Sequence, residues 1–381
     1  MKLGIRFTPP AGMLGGSQRT VANHTIPALA RLHPDFVLFT SNRAAFPTLP
    51  ADRIVDVFPQ LSIGSRTRTA LGLVRNYAGF GAEVRHAGCD VVYYPYTLEA
   101  LHRVRGFAQA VTVHDMLPLV YPRMYPRTVR LWRHLLLPHL RNTASIIVPS
   151  VNTREGLIAQ GGFDRRRIHV VPQGFASFPQ SEPDALPAVP FLLYVSSSHY
   201  PYKNIPFLLR AFEEAAAHLP HRLIIVGTPH SRFTPELLAL RAASAVGDRV
   251  EFLHEVTSER LRDLYRQATM FVYPSEFEGF GIPPLEAMAS GIPVAAMNAA
   301  SIPEVCGDAA LYFQPGQHAT AAAAMLSLVQ DDRLRAEYIA RGRDRVSRFD
   351  WNRTAAGVLR ACDAALEDAL STRAVIRGYN P

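Results

Sequence analysis

The chain has 381 residues, of which 48% are hydrophobic and 19% charged. That balance excludes disorder along the whole chain, which needs low hydrophobicity and high charge, and the length suggests two domains at roughly 100–200 residues each. Three widely spaced cysteines, Cys89, Cys306 and Cys362, exclude a disulfide framework and a cysteine-rich zinc site and suit a reducing compartment, so a cytoplasmic location is expected.

The net charge of +8 is unevenly spread. Residues 1–172 hold 21 Lys/Arg against 9 Asp/Glu, and residues 173–381 hold 19 against 23. An excess of this kind points to an anionic partner for the first half: nucleic acid, anionic lipid and phosphorylated small molecules all stay open, as does a solvated arginine face. Of the 40 basic residues only Lys2 and Lys203 are lysine.

The chain opens on a strand-like run over 3–7, without the long apolar stretch of a signal peptide. No run approaches the roughly 18 apolar residues of a membrane span. A glycine-containing loop, 10–18, leads to a helix over 18–32. Strands at 36–39, 91–94, 110–113 and 146–148 alternate with helices over 66–87 and 126–141. Beyond a segment rich in Pro179, Pro183, Pro187 and Pro190, strands at 191–195, 222–226, 250–253, 270–273 and 293–296 alternate with helices over 204–217, 234–245, 258–267 and 284–290. A broken helical run covers 318–370. Strand–helix alternation predicts an α/β protein with parallel sheets. The organisation expected is a first domain over 1–173, an extended linker over 174–190 and a second domain over 191–350. Ligands in such sheets bind at the carboxyl ends of strands.

Four segments carry candidate chemistry. In the loop 10–18, Gly12, Gly15 and Gly16 let backbone N–H groups face an anion, unless it is an ordinary turn. A strand delivers His114 and Asp115 to its carboxyl end, where a lone histidine is more often a satisfied loop residue than a catalyst. Lys203-Asn204 follows a strand and a polar turn and is expected to open a helix. Lysine there offers a point charge for a diphosphate, against the alternative of a surface lysine. The fourth segment, 275–291, reads strand, glycine loop, helix start, with Gly279 and Gly281 before Pro283 and Pro284 and Gly291 after the helix. Prolines suit the first helical turn and glycine suits its end. Free N–H groups at the helix start favour phosphate. Glu278 lies in the loop and Glu286 is expected in the first helical turn, so the two carboxylates could bracket a ligand; Glu286 could equally serve only the helix dipole.

The full string from Glu278 to Val294, E-G-F-G-x-P-x-L-E-A-M-A-x-G-x-P-V, resembles the E-x7-E signature of retaining glycosyltransferases of the family 4 type. The likeness covers almost the whole chain and extends to bacterial polysaccharide mannosyltransferases. It implies the GT-B fold, with two Rossmann-like domains facing across a cleft, the second binding a nucleotide-sugar. It assigns Glu286 to the ribose hydroxyls of the donor and Glu278 to the sugar hydroxyls, helped by the N–H groups of Phe280 and Gly281, with Leu285 also on the donor side. Lys203 would hold the diphosphate; an arginine that often precedes this lysine is replaced by Ser196, Ser197 and Ser198. His114 would line the reacting centre, and the Gly15/Gly16 loop would close over donor phosphate and acceptor. The segment 250–254 fits where the base rests, and the helix after Trp351, residues 351–381, would cross back to the first domain.

No D-x-D sequence and no His/Cys cluster with ligand spacing occurs, so neither a metal nor a permanently bound cofactor is expected. The activity implied is transfer of a hexose, mannose from GDP-mannose by resemblance, to a glycan or lipid-linked acceptor in lipopolysaccharide or other cell-surface polysaccharide synthesis. A nucleotide-sugar epimerase or phosphorylase on the same fold is the alternative enzyme, and a sugar-nucleotide sensor the non-enzymatic one. The stretch 121–142 sets Arg123, Arg127, Arg130, Arg133 and Arg141 beside Trp132 and several leucines, with Arg66, Arg68, Arg75 and Arg85 earlier in the chain. It could lie on an anionic membrane at the inner face of the plasma membrane, or bury an apolar stripe and solvate its arginines. No motif supports nucleic-acid binding.

Overall fold

A computed structural model describes residues 1–8, 20–57, 79–101, 104, 106–175 and 188–378. The chain forms two units. One contains residues 1–174 together with the chain from Trp351, and the other contains Phe175–Asp350.

The first unit is built on a seven-stranded sheet of β1 (Leu3–Phe7), β2 (Phe36–Thr40), β3 (Ile54–Asp56), β4 (Val91–Tyr94), β5 (Ala108–Thr112), β6 (Ser145–Val148) and β7 (Ile168–Val170), in the order β3-β2-β1-β4-β5-β6-β7. All pairings are parallel. Its central strands are buried on both faces, hence the continuous apolar run of β4; β1 is apolar except for Arg6, which is buried with it. On one face Leu3, Ile5 and Phe7 share a buried core with Trp351, Ala355, Val358, Cys362 and Ala365 of the C-terminal helix Trp351–Gly378, which packs over β4, β5 and β6. Steps of three and four place these five residues on one side of that helix. Its start is tied down by Thr354 Oγ1, which donates to Pro172 O (2.9 Å), and by the His24 ring stacked on Trp351 at 5.0 Å. A second core, with Phe39, Phe80, Tyr94, Trp132 and Leu136, fills the other face.

Within this unit, the helix expected over 18–32 contains a π-helical turn at Val21–Thr25 before Ile26–Leu32, and the one expected over 126–141 contains another at Trp132–Leu136. Each turn lies just before a proline, Pro27 or Pro138, which has no N–H to continue the regular ladder. Of the helix expected over 66–87, only residues from 79 onward are described. Two edge strands, β3 and β7, and the helix α1 (Val151–Gly161) add to the expected elements.

The second unit holds a six-stranded parallel sheet of β8 (Phe191–Ser198), β9 (Arg222–Thr228), β10 (Val250–Leu253), β11 (Met270–Tyr273), β12 (Val294–Met297) and β13 (Ala310–Phe313), in the order β10-β9-β8-β11-β12-β13. Here β13 is the unexpected strand. β8 runs three residues further than expected, to Ser198, with a register shift between Val195 and Ser198. One continuous core joins both faces through helices such as α2 (Ile205–Ala216) and α3 (Ile282–Ala289). The broken helical run resolves into His318–Gln330, Asp332–Val346 and the C-terminal helix.

Candidate active site

In the second sheet the strand order reverses between β8 and β11. The loops that leave these two strands therefore meet at the carboxyl edge, the usual ligand position in such a sheet. After β8 the chain makes a short 3₁₀ turn, Pro201–Lys203, and Asn204 adopts φ 54° before α2 begins at Ile205. Lys203 thus ends a turn and does not open the helix. Asparagine suits the left-handed position because its short polar side chain tolerates it. The loop after β11 is tied to this turn by Glu276 N–H, which donates to Tyr202 O at 2.9 Å.

That arrangement brings together residues far apart in sequence. Lys203 Nζ donates to Glu278 Oε1 at 2.6 Å, and Tyr273 O–H donates to the same oxygen at 2.7 Å. Lys203 Nζ also lies 5.3 Å from the Tyr202 ring centroid. The Lys203 and Glu278 side chains are only 7% and 14% exposed, which removes the surface-lysine alternative.

The glycine loop is held in shape by Ser301, whose Oγ lies 2.9 Å from Glu278 O and 2.7 Å from Phe280 O. Gly281 has φ 115°, a backbone conformation that favours glycine, and a Cβ there would displace the Ile302 Cδ1 methyl, 2.8 Å away. α3 starts at Ile282, earlier than the expected 284, with Pro283 in its first turn. Glu286 is consequently the fifth helical residue and lies in the second turn, not the first. Its Oε2 accepts from Tyr265 O–H at 2.8 Å. Burial pushes the Glu286 carboxyl above the usual range, and the Tyr265 hydroxyl pulls it partly back. The Leu285 side chain is fully buried, so it supports the helix from the core; only its backbone is available to a ligand. Phe280 is likewise buried, edge-on to Phe349 at 5.7 Å. Just past β10, His254 Nδ1 bonds the O of Gly227 near the end of β9 at 2.9 Å, and a Cβ on Gly227 would meet the His199 ring at 3.0 Å.

The first sheet has its own reversal, between β1 and β4, and a glutamate bridges it too. Thr8 N–H, just past β1, donates to Glu99 Oε1 at 2.6 Å. The turn carrying Glu99, Thr97–Leu101, is anchored by Thr97 Oγ1–H to Thr112 O at 3.0 Å. Burial pushes Glu99 up to about 8, with the Thr8 N–H and the neighbouring Arg6 guanidinium opposing it. His114 follows β5 by two residues. Its Nε2 bonds Pro95 O at 2.9 Å, its Nδ1 lies 3.1 Å from Gln173 Nε2, and its ring lies 5.3 Å from that of Tyr96. Gly15 and Gly16 lie outside the described residues.

In the helical stretch after Tyr125, Val129, Trp132, Leu136, Leu137 and Leu140 face the core while Arg127, Arg130 and Arg133 are exposed, as are Arg123 and Arg141 on either side of it. Leu135 is exposed among the arginines. Arg66, Arg68 and Arg75 lie outside the described residues. Among the described residues no helix is long and apolar enough to cross a membrane, and no cluster of three or more His, Cys, Asp or Glu has a metal-holding arrangement.

Two family models match this chain: Glycosyltransferase Family 4 over residues 14–176, and Glycosyl transferases group 1 over residues 189–331. The chain belongs to the family 4 glycosyltransferases. The transferase is 29% identical to O-antigen chain mannosyltransferase B of Escherichia coli over 274 residues, covering 69% of this chain and 71% of that protein. It is 29% identical to O-antigen chain mannosyltransferase RfbU of Salmonella typhimurium, over 64% of this chain and 66% of that protein. Its fold resembles sucrose-phosphate synthase of Thermosynechococcus elongatus, with a TM-score of 0.73 at 20% identity and 99% of each chain covered. Two Rossmann-like parallel-sheet domains are the GT-B class. The epimerase, phosphorylase and sensor alternatives give way to the transferase.

Several residues of the site were not singled out in the sequence. Tyr273 and Tyr265 read as core aromatics of a strand and a helix, and only their hydroxyl partners distinguish them. Glu99 and Gln173 are single polar residues between apolar neighbours, with no motif of their own.

Proposed function

We propose that the transferase moves mannose from GDP-mannose, with retained anomeric configuration, to a glycan or lipid-linked acceptor of O-antigen type. The observation that carries this reading is the convergence of Lys203 and Tyr273 on Glu278, the first glutamate of the E-x7-E string, at the carboxyl edge of the second sheet. The names of the two enterobacterial relatives support mannose and the acceptor class.

In this reading Glu286 accepts from the ribose hydroxyls and Glu278 from the sugar hydroxyls. Lys203 exchanges its carboxylate partner for the diphosphate. The N–H groups of Phe280 and Gly281 and the start of α3 add partial positive charge where negative charge develops, so stabilisation is electrostatic. The bond from the anomeric carbon to the diphosphate oxygen breaks, and a bond to the acceptor oxygen forms on the same face. The acceptor proton leaves with the diphosphate. Lysine and backbone N–H groups take the role a metal ion would otherwise have, so no metal is required. Gly15, Gly16 and His114 are assigned to the donor sugar and the acceptor. The exposed arginines around Leu135 meet acceptor phosphate or the anionic inner leaflet that carries it.

A panel of nucleotide-sugars, scored by free nucleotide released with and without lipid-linked acceptor, tests the donor. Release from GDP-mannose, stimulated by acceptor and indifferent to chelator, is expected. Release from a UDP-sugar alone would replace the donor, and an inverted product would replace the stereochemistry.

A further inference from the structure

The His114 ring is engaged at both nitrogens. Nε2 lies 2.9 Å from Pro95 O, and a carbonyl oxygen only accepts, so Nε2 carries a proton. Nδ1 lies 3.1 Å from Gln173 Nε2, and an amide nitrogen only donates, so Nδ1 offers its lone pair. One species satisfies both contacts: the neutral imidazole with its proton on Nε2. Turning the Gln173 amide around would set its oxygen against Nδ1 and demand an imidazolium. Burial lowers the His114 pKa and opposes that charge. Of the titratable neighbours, Tyr96 presents its ring at 5.3 Å, and Asp115 turns Oδ1 to Leu117 N–H at 2.9 Å.

We infer that Gln173 is a positioning residue that holds His114 as a neutral, Nε2-protonated ring, so that His114 meets the donor sugar without charge and takes no proton in the reaction. The inference rests on the assignment of His114 to the donor sugar. Its chemical sense lies in the transition state of glycosyl transfer, where the anomeric carbon gains oxocarbenium-like positive charge. An imidazolium beside it would oppose that charge, most strongly in a water-poor site. A free basic nitrogen would become protonated as pH falls. Occupying Nδ1 with an amide N–H prevents both.

Nitrogen-15 spectra of the full chain, with histidine labelled, report the state of His114 directly, and His114→Gln identifies its signals. The expected result is the neutral Nε2–H tautomer from pH 6 upward. Gln173→Glu offers a carboxylate to Nδ1–H, which should raise the His114 pKa by about 1–3 units. At pH 7, kcat should then fall about tenfold or more and recover as pH rises through the new pKa. KM for the donor should change less than about threefold, because ground-state binding is untouched. Gln173→Met removes the amide without adding charge; it should free the tautomer equilibrium and lower kcat less, with no new titration. A merely structural role would make both variants lose activity equally at every pH. An imidazolium or Nδ1–H ring in the wild-type protein would overturn the inference. So would a Gln173→Glu protein with a raised His114 pKa and a wild-type kcat profile. The spectra need no donor, so failure of the GDP-mannose reading appears separately, as absent turnover by the wild-type protein.

Discussion

Lys203 and Glu278, 75 positions apart, form a 2.6 Å ion pair inside the second domain. Strand order accounts for the meeting: β8 and β11 are neighbours across the reversal, so the turn after one touches the loop after the other. Both groups are assigned to substrate, and each occupies the other until substrate arrives. Glu278→Gln should therefore release Lys203 for a diphosphate. GDP alone should bind that variant several-fold more tightly, while turnover falls because the sugar hydroxyls exchange a charged acceptor for a neutral amide oxygen. Calorimetric titration with GDP and a turnover assay check the two halves; weaker GDP binding would contradict the exchange.

The same pair predicts a stability pattern. Lys203→Met leaves a largely buried carboxylate without its cation, a loss of about 3–5 kcal/mol. Lys203→Met with Glu278→Gln removes the orphaned charge and should recover much of it. Denaturant midpoints of both variants test this, and equal destabilisation would mean that the loss comes from Lys203 itself and not from an orphaned carboxylate.

Glu286 gives a pH dependence to donor binding. Burial holds its carboxyl above the usual range, so on acidification it gains a proton earlier than an exposed glutamate. A protonated carboxyl accepts hydroxyl hydrogens less well, so donor affinity should weaken as pH falls through that raised pKa. Glu286→Gln should bind more weakly but without this slope. Titrations at pH 5, 6 and 8 distinguish the two proteins.

Glu99 gives a pH dependence to folding. Its ordinary value is 4.5 and burial raises it to about 8. Between these values the native state keeps a proton that the unfolded chain releases, so stability is greatest at the acid end of the window and declines as pH rises through about 8. Glu99→Gln retains an oxygen for Thr8 N–H and removes the titration. Its unfolding free energy should be flatter from pH 5 to 8; an undiminished slope would assign the effect elsewhere.

Much of the fold was legible because central parallel strands are buried on both faces and show as short apolar runs, as in β4 and β11. What escaped had physical reasons. α1 buries only Thr153, Leu157 and Gly161, so its inner face carries one apolar side chain and no visible period. Its ends are set by local chemistry: Ser150 Oγ accepts from Thr153 N–H at 3.1 Å, and Gly162 takes φ 63°. β3 and β7 are edge strands of three residues, too short for alternation to register. In the site, Glu278 and Glu286 were legible from one contiguous string. The pairing of Lys203 with Glu278 depended on strand order, and the Tyr273 and Tyr265 hydroxyls that bond Glu278 and Glu286 lie outside the string.

The exposed face of Arg127, Arg130 and Arg133 should govern membrane contact. Each basic side chain near an anionic surface contributes about 1 kcal/mol, so reversing all three to glutamate should weaken binding to phosphatidylglycerol vesicles by more than about tenfold. Wild-type binding should fall steeply with salt. Unchanged sedimentation with vesicles would leave the arginines as a solvated face only.

The central claim is that the second domain holds a nucleotide-diphosphate sugar through Lys203, Glu278 and Glu286. Calorimetric titration of GDP-mannose into the wild-type protein and into Glu286→Ala tests it most directly. Saturable one-site binding by the wild type, weakened about tenfold or more in the variant, is predicted. Equal affinity in both would move the nucleotide site away from Glu286 and contradict the account.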